Sequence, residues 1–417
     1  MKKILKILLI VLLAVIVLAG GFTAFLTITE YKPDDYEELE PYGAPEKDVL
    51  NEGDSISLLT YNIGYGGQSA DMDLQSQGGE CVKASSESLV NKNLDCMRQI
   101  MKIENADVLL LQQVDVKSAR SHSVDEVAYL ESLFPGIATY ATNYVCKFIP
   151  LPLNNPMGNV KSGLLTINKY QTSSASRNSL VAGYSWPMKL FEPKNCLSIQ
   201  RVALGTAEKP AEGELVIINL TFDSKDDGAV KIEQTKELAT FMKDEYAKGN
   251  YVIAGGTFNQ TFPGADNLKY PVRNTGYFMP GIVEETLFGE GWTFAYDESV
   301  PTARLMNQPY SEYDPYMQLY VIDGFITSPN VTVTKCYTID TEFKYSSHQP
   351  VRVDVCLGKP APAPVVPAEP QYDENGNVIT PAAVEAPEVN VPNTYVSTVQ
   401  IGEGVLSTTG EEIYGTN

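Results

Sequence analysis

The chain has 417 residues, of which 43% are hydrophobic and 10% aromatic, so it carries ample core material and is not disordered as a whole. Its 31 basic residues face 52 acidic ones for a net charge of −21, which disfavours a partner held through phosphate backbones and sets nucleic acid aside. Two histidines, His122 and His348, exclude a multi-histidine metal centre.

The first element is MKKILKILLIVLLAVIVLAGGFTAFLTITE, residues 1–30. No charge falls between Ile7 and Ile28. A run of about 20 apolar residues spans a bilayer core of about 30 Å. The lysines stand only on the N-terminal side, so the segment predicts a single-pass anchor in the cell membrane with its N-terminus cytoplasmic and the body extracytoplasmic. The alternative is a cleaved signal peptide, for which Leu18-Ala19-Gly20 and Thr23-Ala24 offer weak sites.

Residues 31–54 are acidic and contain prolines, the pattern of a solvated spacer. The body, 55–357, alternates short apolar runs with amphipathic stretches. Strands are expected at 55–62, 107–114, 162–168, 195–204, 215–220, 251–254, 319–327, 331–337 and 349–355. Helical spacing appears at 90–103, 125–134 and 231–246. Ser121 and Ser123, beside His122, read as helix-capping candidates. Both antiparallel pairs and helical crossovers are implied, giving an α/β (α+β) class with two layers of sheet. Residues 358–417 are Pro-rich and acidic and read as a disordered tail. The six cysteines, 81, 96, 146, 196, 336 and 356, contain no C-x-x-C. They are either disulfide partners, with 15 possible pairings, or small buried hydrophobes.

Four segments carry the chemistry: LLTYNIGYGG (58–67), DVLLLQQVD (107–115), VIAGGTFNQTFPG (252–264) and SSHQPVRVDV (346–355). Each joins an apolar strand to polar residues at its C-terminal end, and such ends converge on one cleft in an α/β sandwich. In this order they resemble the endonuclease/exonuclease/phosphatase superfamily, the deoxyribonuclease-like fold, most closely its membrane-anchored bacterial branch. SGLLTI (162–167), VIINLTFDSKDDG (216–228) and VIDGFITSPNV (321–331) fit the same pattern. The resemblance covers about residues 55–357. It implies a four-layer αββα sandwich of two packed mixed sheets flanked by helices, and phosphoester cleavage with Mg²⁺ or Mn²⁺. The metal would need a carboxylate to hold it.

At the matched positions the chain departs from that pattern. The Glu of the family's LQE motif falls on Gln113, a position that would keep only a weak metal role together with Asn62. The His of NTH falls on Thr221, the Asp of GDFN on Thr257 and the Asp of SDH on Ser347. Asn62, Asn259, Asp323 and His348 remain as the catalytic set the resemblance implies, and Arg201, Arg304 and Tyr310 as polar substrate contacts. The replacements remove the negative charge that would hold a divalent cation and the base that would activate water. One such loss costs about 3–4 kcal/mol in transition-state stabilisation. The acids that stand as substitutes are Asp115, Asp71, Asp73, Asp223, Asp226 and Asp227.

Two functions are consistent with these residues. One is a membrane-anchored binding protein, a pseudoenzyme without a cofactor, whose ligand is a phosphorylated small molecule, an envelope component or another protein. The other is a divergent phosphoesterase using Mg²⁺ or Mn²⁺ on relocated carboxylates.

Overall fold

The computed structural model describes residues 2–358, except 48, 207, 209, 225–227, 267, 268 and 274, and also 371, 372, 378 and 379. The remainder of the expected tail lies outside the described residues, as do Asp226 and Asp227. The chain opens with helix α1 (Lys2–Ile28), which is long and apolar enough to cross a membrane.

The spacer expectation needs correction. Within it, β1 (Tyr36–Leu39) pairs with β7 (Thr172–Ser179), and β2 (Tyr42–Ala44) pairs with β5 (Gly136–Ile149). Both strands are short, and β1 carries Glu37 and Glu38, features that close a sheet edge without inviting further pairing.

β3 (Ser55–Asn62), α2 (Glu87–Glu104), β4 (Val108–Asp115), α3 (Glu126–Glu131) and β6 (Gly158–Asn168) follow the expected strands and helices. So do β8 (Cys196–Gly205), β9 (Pro210–Thr221), α4 (Ala229–Ala247) and β10 (Tyr251–Thr257). The body closes with β11 (Thr293–Ala295), β12 (Ala303–Arg304), β13 (Leu319–Tyr320), β14 (Asp323–Thr327), β15 (Val331–Thr338) and β16 (Val351–Leu357). Helix α2 is capped by Ser86, which accepts from the Leu89 amide, and α3 by Asp125, which accepts from Ala128. Ser121, a capping candidate from sequence, instead bonds Asp115.

One seven-stranded sheet runs β1-β7-β8-β9-β10-β14-β11, and the other β15-β16-β3-β4-β6-β5-β2. The pairs β9–β10 and β3–β4 are parallel, with α4 and α2 as their crossovers, and the rest are antiparallel. Leu58, Leu110, Ile217, Ile253 and Phe325 fill the space between the sheets. Leu94 and Met97 of α2 cover the outer face of one sheet, and Leu238 and Met242 of α4 that of the other. This is the expected four-layer αββα sandwich. The glycines of AGG serve close packing: a Cβ on Gly256, at φ +151°, would meet the Leu220 carbonyl oxygen at 2.0 Å.

All six cysteines are free thiols, and Cys146, Cys196, Cys336 and Cys356 are buried among apolar residues. Burial pushes the Cys196 thiol up to about 11, which leaves it inert at neutral pH.

Candidate functional site

The parallel strand pairs bring the matched positions together. On β9, β10 and β14 the register places Thr221 beside Thr257 and Thr257 beside Asp323. On the facing sheet, Asn62 ends β3 opposite Gln112 of β4. Ser347 and His348 stand in the loop before β16, at its N-terminal end and not at the C-terminal end expected from sequence; β16 runs antiparallel to β3, so that end meets the C-terminal end of β3, and His348 bridges to Ala303. Asn62, Gln113, Thr221, Thr257, Asn259, Arg304, Ser347 and His348 all line one cleft of about 600 Å³. A more apolar cavity of about 270 Å³ lies among residues 261–282 and holds none of the matched positions.

A hydrogen-bonded chain crosses the cleft floor. Asn62 Nδ2 donates to Thr257 Oγ1 at 3.1 Å, and Thr257 donates to Asp323 Oδ1 at 2.6 Å. Nδ1 of His348 meets Asp323 Oδ2 at 2.9 Å. Asp323 is 2% exposed, so its charge is compensated by these contacts rather than by water. Thr302 Oγ1 accepts from the amides of Ile322 and Asp323, fixing the strand that carries the carboxylate. Asn259 takes a left-handed φ of 53° and turns its amide onto the Phe222 carbonyl.

Gln113 sits on a bulge, since the β4–β6 register shifts between Leu111 and Val114 and Gln113 has φ 54°. The extra residue re-aims adjacent side chains. Gln112 binds Thr60, Leu110 and Asn219 between the sheets, while Gln113 lines the cleft. Gln68, which no sequence signal marked, ties two of the matched positions together: it donates to Gln113 Oε1 at 3.2 Å and accepts from Ser347 Oγ at 2.5 Å. Thr221 Oγ1 is buried without a hydrogen-bond partner among the described residues.

Two guanidinium groups border the cleft. Arg304 is 4% exposed and holds the carbonyls of Ser69, Met72 and Gln308, while its Nε has no hydrogen-bond partner among the described residues. Burial lowers its pKa to about 10, partly offset by the charge of Asp71. Arg120, also unmarked by sequence, lies over the Tyr65 ring at 4.2 Å and pairs with Asp115 at 2.8 Å.

Other expected residues lie elsewhere. Arg201 does not reach the cleft, because it pairs with Glu245 of α4 at 2.7 Å and with Glu214 at 3.4 Å, nearer the opposite end of its strand. Tyr310 packs against Phe343 at 5.0 Å between ring centroids and does not line the cleft. His122 holds the Ala84 carbonyl at 2.7 Å from a loop.

The residues present do not fit the divalent cation that the resemblance implies. Gln113 offers a neutral oxygen already bonded to Gln68, and Thr257 is bonded to Asp323. Of the substitute acids, Asp115 is held by Arg120 and Ser121, Asp71 by Ser69, and Asp73 by the amides of Glu80 and Cys81. Asp223 lines the cleft, with its amide bonded to Gln234. Among the described residues, no group of three or more His, Cys, Asp or Glu side chains is placed to hold a metal ion.

No protein-family profile matches the sequence, and no curated protein matches it. Solved structures do. An endonuclease/exonuclease/phosphatase from Beutenbergia cavernae is 15% identical with a TM-score of 0.49, covering 77% of this chain and 76% of that one. The endonuclease/exonuclease/phosphatase from Bacteroides vulgatus is 15% identical with a TM-score of 0.43, covering 73% and 99%. ANGEL2, a 2′,3′-cyclic phosphatase solved with adenosine-2′,3′-vanadate, is 12% identical with a TM-score of 0.46, covering 78% and 99%. Likenesses this weak carry no functional residue over to this chain. What the chain itself shows is two seven-stranded mixed sheets with the four motif segments meeting in one cleft.

Proposed function

We propose that this is a membrane-anchored, extracytoplasmic binding protein whose cleft holds a phosphorylated ligand without hydrolysing it. The observation that carries this is the chain Asn62–Thr257–Asp323–His348, in which a hydroxyl occupies the position of the general base and consumes the neighbouring carboxylate. A threonine hydroxyl cannot act as a base near neutral pH, and a serine at 347 supplies no charge to orient an imidazolium. Arg304 on the cleft wall, bonded to neutral carbonyls rather than to a carboxylate, favours an anion instead.

Anchoring is supported by α1 and by its lysines, which favour a cytoplasmic N-terminus. Retention of the segment is supported by its contacts with the body. Leu26 is 3% exposed, packed with Cys146 and Leu190, and Thr27 accepts from the Trp186 indole at 3.2 Å.

The intact His348–Asp323 pair favours one second reading, a divergent metal-dependent phosphoesterase. Full-length protein assayed on bis(p-nitrophenyl) phosphate and p-nitrophenyl phosphate with Mg²⁺, Mn²⁺ or Ca²⁺ separates the two. The binding function predicts background rates in every case. Metal-dependent turnover abolished by His348→Ala would overturn it.

A further inference from the structure

The wall of the cleft and the foot of the membrane helix are built from the same residues. Phe22 and Leu26 of α1 pack with Tyr144, Cys146, Ile149, Leu190 and Phe191. Ile149, Leu151, Phe191 and Tyr144 also line the cleft that contains His348 and Arg304. Around this junction the body exposes large apolar side chains in two loops. Leu151 and Leu153 are 61% and 84% exposed, and Trp186 and Met188 are 57% and 54% exposed. An apolar patch of this kind at the exit of an apolar helix marks a contact surface rather than scattered surface hydrophobes.

The depth of these loops follows from α1. The uncharged stretch from Ile7 to Ile28 is about 33 Å of helix, enough to cross a hydrocarbon core of about 30 Å. Residues near Thr27 therefore stand at the outer boundary. Trp186 bonds Thr27 there, where indoles concentrate in membrane proteins. Phe148 meets Phe22 at 6.3 Å between ring centroids, more than a helical turn deeper. One step outward, Lys32, Lys189 and Lys194 all approach the carboxylate of Glu30, at 3.6, 3.5 and 3.7 Å, with Glu192 also acting on Lys194. Three ammonium groups collect at headgroup height in a chain of net charge −21.

We infer that the two loops, 147–157 and 181–191, dip into the outer membrane interface, so that the cleft opens onto the bilayer and takes the headgroup of a phospholipid. The lipid phosphate lies toward Arg304, whose buried Nε is without a hydrogen-bond partner among the described residues, and the acyl chains stay in the bilayer beside Leu151 and Phe191. This rests on the anchored, anion-binding function proposed above and names its ligand class.

The test uses the full chain in two formats. In phosphatidylcholine nanodiscs, Trp292→Phe leaves Trp186 as the single tryptophan, and Leu153→Trp in a Trp186→Phe/Trp292→Phe background reports the other loop. Both emissions should be quenched by brominated phosphatidylcholine and protected from iodide. Iodide quenching without bromolipid quenching overturns the docking.

In maltoside micelles, calorimetry compares dihexanoyl phosphatidylglycerol with inorganic phosphate. The short-chain phospholipid should bind, and Arg304→Gln should weaken it about tenfold or more, the scale of one charge-assisted contact. Leu151→Ser, at an exposed site that folding tolerates, should weaken the phospholipid and leave inorganic phosphate unchanged. Phosphate binding with no preference for the phospholipid overturns this inference and leaves the binding function standing. Binding of neither, with both loops quenched, overturns the headgroup assignment and the anion-binding cleft together.

Discussion

The hydroxyl of Thr257 donates a 2.6 Å hydrogen bond to Asp323, at directly paired positions on β10 and β14. A carboxylate at 257 would face a second carboxylate at that distance, which two ionised groups tolerate only with a cation between them. A threonine there satisfies Asp323 in the cation's absence and leaves the cleft stable without metal.

Thr257→Asp alone is therefore expected to create a proton-sharing pair with a raised apparent pKa. A raised folded-state pKa gives stability that is present at acid pH and lost as pH rises. Thermal melts should show the variant close to the parent near pH 4 and destabilised by about 1–3 kcal/mol near pH 7.5. A pH-independent difference would show that residue 323 does not feel the new charge.

Restoring all four positions, Gln113→Glu, Thr221→His, Thr257→Asp and Ser347→Asp, should bring measurable Mg²⁺ binding, with a Kd below about 1 mM, equivalent to about 4 kcal/mol. Calorimetry on the folded variant measures it. A folded variant that stays blind to Mg²⁺ would mean that the Gln68 network has reshaped the cleft beyond the four substitutions.

Arg120 and Glu126 make a second pair of predictions. Glu126 is fully buried, and burial, followed by the charge of Asp115, raises its carboxyl well above the usual range. Glu126→Gln should match the parent at acid pH, where both side chains are neutral, and should become the more stable of the two as pH rises, because it removes the loss of stability that a raised carboxyl brings. Arg120→Met strands Asp115 and should cost about 3–5 kcal/mol by urea denaturation.

Glu245 has the opposite sign. Burial would raise its carboxyl, but hydrogen bonds from Arg201, Lys248 and Asn250 hold it down to about 2. Stability from this group is present above the unfolded value near pH 4.5 and is lost as pH falls toward 2. Allowing for solvent screening, Glu245→Gln should cost about 1–2 kcal/mol at pH 7 and little at pH 2.5. Equal losses at both pH values would leave only a packing role for the side chain.

The sequence by itself determined most of the strands of the sandwich, because the buried runs 108–111 and 251–254 are apolar throughout, as no surface segment would be. Through the resemblance it also supplied the expectation that Gln113, Thr221, Thr257 and Ser347 stand where the family carries charged residues. Tertiary structure alone revealed β7, whose sequence TSSASRNS is polar at every position but Ala175 and is placed by its neighbours, with Arg177 buried against the carbonyls of Thr142 and Lys194. It moved Arg201 from the cleft to α4, because its partner Glu245 is 44 residues away along the chain. It also decided that Gln68, Arg120 and the loop at Trp186 border one cleft: contacts between distant segments are set by how the two sheets pack, and no local periodicity encodes them.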